Sequence, residues 1–213
     1  MIAIADYGMG NRRSVEKALE HVGARPVLTA DHAVLRSAGA LVLPGVGAFP
    51  EAMRRIRALE LDEVILEQAA AGVPVLGLCL GMQLLFESST EHEGATGLGL
   101  LPGEVTALRA PRVPHIGWNL VAFERPAALT EGLGEAAAFY HVHSFACRPA
   151  AAGDVVGRGE YGERFVSIVE RGNVMGVQFH PEKSSHDGLA LLRNFARVGA
   201  SEAVTSREAR GRA

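Results

Sequence analysis

Three short stretches hold residue types that can do chemistry together. Around Cys79 the chain reads VPVLGLCLGMQLLFE from Val73 to Glu87, with Gly77 and Gly81 placed symmetrically about the thiol. A strand that turns through Gly-x-Cys-x-Gly into a helix has the form of a nucleophile elbow. The sharp turn lifts the nucleophile off the sheet, and the glycines let neighbouring backbone approach. The N–H groups opening the helix favour the thiolate, the reactive form of the side chain. An ordinary thiol, of pKa about 8.5, is only a few per cent thiolate at neutral pH, so a base is needed beside it. Alone, the stretch fits a buried structural cysteine equally well.

The second stretch, GVQFHPEKSS from Gly176 to Ser185, supplies such a base. His180 and Glu182 stand two apart at the end of an apolar strand, a spacing that puts side chains of an extended segment on one face. Pro181 between them pushes His180 toward an extended conformation. A carboxylate beside an imidazole sets its tautomer and stabilises the imidazolium, which lets the ring take a proton from Cys79. The third stretch is LPGVGAF, Leu43–Phe49. Its glycines allow backbone N–H groups to turn toward a ligand, so Val46 or Gly47 could join Leu80 in an oxyanion hole; one such donor is typically worth about 2.7–4 kcal/mol of transition-state stabilisation.

These residues need a scaffold. Strand patterns at Ile2–Ala5, Ala40–Leu43 and Val75–Leu78 alternate with helical spacing over Ser14–His21, with Ser14 as N-cap, over Glu51–Ala71 and over Met82–Ser88. That alternation predicts a parallel sheet covered on both faces. From Gly97 the texture changes, and Arg164–Glu170 and Asn173–Gln178 read as antiparallel strands, followed by a helix over His186–Arg197. The expected organisation is one domain over residues 1–200 and a polar, disordered tail over 201–213.

Bulk composition narrows the function classes. The 213 residues are 48% hydrophobic and 21% charged with a net charge of -3, which offers no basic field for nucleic acid and no stripe for an anionic membrane. No apolar run reaches the roughly 20 residues of a membrane span. The N-terminal residues read as a first strand, not as a signal peptide. Two cysteines, Cys79 and Cys147, suit a reducing compartment, so a cytoplasmic setting is expected.

PGVGAF, GLCLGMQLLFE and GVQFHPEKSS together resemble the class I (triad) glutamine amidotransferases. DYGMGNRRSV (Asp6–Val15), PHIGWN (Pro114–Asn119) and FYHVHSF (Phe139–Phe145) narrow the resemblance to the glutaminase subunits of imidazole glycerol phosphate synthases, over roughly residues 2–196. The resemblance implies a three-layer, flavodoxin-like α/β fold with a mostly parallel central sheet and added antiparallel strands. It implies a Cys79–His180–Glu182 triad that hydrolyses glutamine, with Gln83 and Glu91 at the substrate's amino-acid end and backbone at Ser144 and Phe145 near its carboxylate. It implies no cofactor and no metal. The ammonia would pass to a partner cyclase with a (β/α)8 barrel, and Asn11, Trp118, Tyr140 and Lys183 match motifs on the partner-facing side. The family often carries Tyr at the position of Phe145, so a backbone role survives here and a hydroxyl role does not.

Other features carry blander expectations. His141-x-His143 could suggest a metal pair, but no Cys, Asp or Glu stands nearby at ligand spacing. Gly8-x-Gly10 lacks the third glycine of a dinucleotide loop. Cys147 has no elbow and no neighbouring base. Amidotransferases of other pathways share the triad but not DYGMGN or PHIGWN, and a Cys-elbow esterase usually has its acid ahead of the His.

Overall fold

The computed structural model of the chain describes the backbone of residues 1–210 and side chains through residue 200. The first half alternates strand and helix: β1 (Ile2–Ala5), α1 (Arg12–His21), β2 (Pro26–Thr29), α2 (His32–Arg36), β3 (Ala40–Gly45), α3 (Phe49–Ala58), α4 (Leu61–Ala70), β4 (Val75–Cys79) and α5 (Leu80–Leu84). Nine strands follow. They are β5 (Phe86–Ser89), β6 (Ala95–Thr96), β7 (Leu101–Ala107), β8 (His115–Phe123), β9 (Ala136–His143), β10 (Phe145–Pro149), β11 (Val155–Tyr161), β12 (Glu163–Arg171) and β13 (Val174–Val177). The closing helix is α6 (Ser185–Arg210).

The main sheet has nine strands in the order β2-β1-β3-β4-β13-β12-β11-β8-β9. The first five are mutually parallel, and the last four continue it antiparallel. A smaller sheet, β10-β7-β5-β6, lies apart from it. Period-two alternation divides the parallel strands between two cores. Ala3, Ala5, Leu41 and Leu43 pack beneath Leu35, Phe49, Met53, Ile56 and Val64 of α2, α3 and α4. Ile2, Ile4, Val42, Leu76 and Leu78 pack beneath Val15 and Leu19 of α1 and Leu191, Leu192 and Phe195 of α6. Strands buried on both faces must be apolar at every position, which is why they read as continuous apolar runs. The three-layer α/β architecture is the one expected.

Local boundaries differ from the sequence expectation in several places, and the closing helix runs on to Arg210 where an end at Arg197 was expected. Helix α1 starts at Arg12 with Asn11 as N-cap, not Ser14; the Ser14 N–H already donates to Asn11 O at 3.1 Å, so Ser14 lies inside the first turn. The single helix expected over Glu51–Ala71 is two, broken at Glu60, whose φ of 53° is left-handed; the break aims Leu61 into the core beside Ile56. The helix expected over Met82–Ser88 ends at Leu84, and Phe86–Ser89 becomes β5 because it pairs with β7. The short, half-buried β2 and the five-residue α2 carry too little apolar signal to be read from sequence. Of the expected tail, residues 201–210 are described only as helical backbone of α6, and 211–213 lie outside the described residues.

Candidate active site

The site forms at the carboxyl ends of β3, β4 and β13, where open α/β sheets hold their ligands. Register pairs Gly45 with Cys79 on one side of β4 and Val177 with Leu78 on the other. The chain leaving β13 therefore carries Gln178 and His180 past the sulfur. Cys79 itself sits at φ 55°, ψ -111°, a left-handed strain that non-glycine residues keep only where the surroundings enforce it. The enforcement is visible at the two flanking glycines. A Cβ on Gly77 would lie 2.5 Å from Gly81 O, and one on Gly81 would drive into Leu43 O. The symmetry of Gly77 and Gly81 about Cys79 thus lets α5 start directly against β3 and β4. With only five residues, α5 offers the sulfur its opening N–H groups and little more of a dipole than that.

His180 is extended at φ -100°, ψ 95° and precedes a 3-10 turn, Pro181–Lys183. The juxtaposition of His180 and Glu182 comes from that turn, not from a shared strand face. Glu182, with its side chain 1% exposed, accepts from His180 Nδ1 at 3.0 Å. Burial alone pushes the imidazole pKa down, but interaction with Cys79 and Glu182 and their negative charge outweigh it and lift the ring to about 10. His180 thus holds a proton at neutral pH, which is its state after receiving one from a thiol. When it carries its proton the sulfur can donate to Val142 O at 3.6 Å, and Gln178 Nε2 approaches it at 3.8 Å.

In front of the sulfur lies a cavity of about 210 Å3. Val46, Gly47, Cys79, Leu80, Gln83, Glu91, Ser144, Phe145 and His180 all line it, so the structure gathers every nucleophile, oxyanion and substrate candidate of the sequence into one space. Glu182 stands behind His180, outside the cavity. Glu91 Oε2 accepts from the N–H of Phe49 at 2.8 Å, and Oε1 lies 4.0 Å from His92 Nε2. Gly47 takes φ 109°, and a Cβ at Gly45 would strike Tyr7 Oη at 2.6 Å. Substitution at Gly45 therefore disturbs packing whatever the backbone does.

The four interface candidates flank this site. Asn11 shares a small cavity with His180 and Glu182. Trp118 and Tyr140 face each other across β8 and β9 with ring centroids 6.2 Å apart, and Tyr140 O accepts from His180 N at 2.9 Å. Lys183 is exposed on the turn that carries Glu182.

Sequence reasoning passed over Tyr7, whose hydroxyl donates to Pro44 O and braces the Pro-Gly-Val-Gly turn. It also missed Gln178, although a polar residue amid GVQFH was a signal. His141 and His143 do share a face, but not as ligands. His141 bonds Phe139 O and Ser167 Oγ, and His143 bonds Phe145 O and His115 Nδ1, so all four nitrogens have protein partners.

This chain matches the family described as glutamine amidotransferase class-I over residues 3–198, and it belongs to that family. Within it, the chain is 50% identical over 198 residues to a protein of Moorella thermoacetica named imidazole glycerol phosphate synthase subunit HisH, covering 92% of this chain and 94% of that one. It is also 50% identical over 196 residues to the protein of that name from Aquifex aeolicus, covering 91% and 95%. Two solved structures share the fold at lower identity. One described as a glutamine amidotransferase superposes with a TM-score of 0.73 at 21% identity, over 93% of this chain and 98% of the other. PurLQS from Thermotoga maritima gives 0.74 at 22%, over 92% and 97%.

Proposed function

We propose that this chain is the glutaminase subunit of an imidazole glycerol phosphate synthase, in which Cys79, His180 and Glu182 release ammonia from glutamine for a partner cyclase. The observation that carries the reading is Cys79 on a strained elbow, in one cavity with His180, which is bonded to Glu182. The half-identity to proteins named as subunits of that synthase supports it.

Cys79 Sγ attacks the side-chain amide carbon of glutamine. The oxyanion that forms meets the N–H of Leu80 and an N–H from Val46 or Gly47. His180 gives its proton to the departing nitrogen, and ammonia leaves a γ-glutamyl thioester. His180 then takes a proton from water, which attacks the thioester; glutamate leaves and the thiol is restored. Glu182 fixes the imidazole tautomer and stabilises its positive charge. Gln83 spends both amide hydrogens inside the protein, on Phe145 O and Gln178 Oε1. It can offer a ligand only its oxygen, which suits an α-ammonium. Glu91 suits the same group, and the backbone at Ser144 and Phe145 lies on the opposite wall for the carboxylate. No step calls for a cofactor or a metal.

An exposed apolar stripe on β8 supports the partner half of the reading. Ile116, Trp118 and Leu120 alternate on one face at 59%, 56% and 63% exposure, opposite Val142, Tyr140 and Ala138 of β9. Val142 also lines the cavity, so this face runs up to the site where ammonia forms. Its proposed occupant is the (β/α)8-barrel cyclase, with Asn11 and Lys183 at the rim, and the pair works in the cytoplasm. The test is labelling by an electrophilic glutamine analogue, read by mass spectrometry. Stoichiometric addition at Cys79, blocked by glutamine, is expected; labelling indifferent to glutamine would overturn the reading.

A further inference from the structure

We infer that Gln178 is a fourth working member of this site: its side-chain amide donates a hydrogen bond to Cys79 Sγ, and Gln83 holds it the right way round. The inference rests on the glutaminase reading for its biological meaning, not for its geometry. Gln178 is fully buried just beyond β13. The nitrogen and oxygen of an amide look alike, so which of them faces the sulfur must come from the hydrogen-bond network.

The network has one unambiguous anchor. Phe145 O is a carbonyl and can only accept. It takes Gln83 Nε2 at 3.3 Å, so Gln83 turns its NH2 to that side. The same nitrogen lies 3.1 Å from Gln178, which must therefore answer with its oxygen. The NH2 of Gln178 is left facing Cys79 Sγ at 3.8 Å. Phe145 O also accepts from His143 Nδ1 at 2.8 Å. His143 Nε2 then accepts from His115 Nδ1 at 3.0 Å, and His115 Nε2 from the Asn119 amide at 3.4 Å. Phe145 O thus accepts from both sides, from His143 and from Gln83, and this shared acceptor fixes the orientation of Gln83 and, through it, of Gln178.

The sulfur needs that donor. Val142 O, 3.6 Å away, suits a thiol that donates to it but opposes a sulfur anion. The other groups around Cys79 are His180 with Glu182 behind it, Tyr7 after β1, Cys147 on β10, and His143 and Glu91 across the cavity. Burial, with the charge of Cys79 adding to it, raises both Tyr7 and Cys147, so neither brings charge to the sulfur at neutral pH. Burial lowers His143 to about 4, so it is neutral too. Beside the opening N–H groups of α5, the imidazolium of His180 and the N–H of Gln178 are the side-chain groups named here that favour the anion.

The test is iodoacetamide alkylation of the full chain across pH, resolved by peptide so that Cys79 is read apart from Cys147. Gln178→Glu keeps an oxygen toward Gln83 but sets a second oxygen against the sulfur, while Gln178→Met removes the donor and the acceptor. We expect the alkylation midpoint of Gln178→Glu to move alkaline by about one pH unit, with the rate at neutral pH down about tenfold. Gln178→Met should move it the same way by less. Turnover of glutamine should fall through kcat, with KM changed less than about twofold. A purely structural Gln178 would lower the melting temperature without moving the midpoint, and an unmoved midpoint in either folded variant overturns the inference. If Gln178→Glu does not fold, Gln178→Met decides. Alkylation needs no glutamine, so a moved midpoint in a chain that hydrolyses none would keep this inference and sink the glutaminase reading.

Discussion

Acidification should weaken the wild-type fold more steeply than the fold of a His141→Gln variant. His141 is fully buried, bonded to Phe139 O and Ser167 Oγ and ringed by His115, His143, Phe165 and Phe179. Burial, with the neighbouring histidines adding to it, lowers its pKa from 6.5 to about 3. Above 6.5 the ring is neutral whether the chain is folded or not. Between 6.5 and about 3 the unfolded chain binds a proton that the native state refuses, so stability falls with pH and levels off below about 3. At about pH 5 the loss is roughly 1.5 units at 1.36 kcal/mol each, or about 2 kcal/mol. Glutamine keeps hydrogen-bonding capacity and never titrates. Its variant should therefore be less stable at about pH 7.5 through lost ring packing, with the gap closing by about 2 kcal/mol at about pH 5. Urea unfolding of both proteins at the two pH values measures this. A gap that does not change with pH would mean that His141 is protonated alike in the folded and unfolded chain, contrary to the burial-lowered pKa.

Four further substitutions probe the same geometry. Gly81→Ala would force a Cβ into Leu43 O and should cost about 3 kcal/mol or more by thermal denaturation. Gly23→Ala, which meets no neighbour at φ +86°, should cost only about 1–2 kcal/mol. Glu182→Gln should lower the His180 pKa from about 10, as read by NMR titration. A raised imidazole stabilises fully below 6.5 and loses that contribution as pH climbs through about 10. The variant should therefore show a flatter decline of stability across that window. Leu120→Asp should weaken binding of the cyclase proposed as partner at least tenfold, measured by calorimetry, while leaving the melting temperature within about 3 °C, since the residue is exposed.

Much of the scaffold was legible because the parallel strands are buried on both faces and so are apolar throughout, and because glycine and proline mark the strand ends. The elbow and the Pro-Gly-Val-Gly turn end buried strands, and His180 and Glu182 follow β13 within five residues, so all of them could be expected at one end of the sheet. What escaped has physical reasons. β2 is half exposed and four residues long. Phe86–Ser89 is held as a strand by β7, whose paired residues lie 15 or 16 positions further on, which no local pattern reports. Glu60 breaks a helix in a left-handed turn with no glycine to announce it. Gln178 and the His115–His143 pair gain their roles only through partners distant in sequence. Tyr7 was visible within DYGMGN, but its grip on Pro44 depends on β1 and β3 lying side by side.

The decisive measurement is glutamine hydrolysis by the purified chain, alone and with the cyclase proposed as its partner plus a nucleotide ligand of that cyclase, with Cys79→Ala as control. Strong stimulation by the liganded partner, abolished in Cys79→Ala, is the predicted result. Brisk hydrolysis by the chain alone, indifferent to the cyclase, would contradict the synthase assignment, and no glutamate with the cyclase confirmed bound would contradict the triad itself.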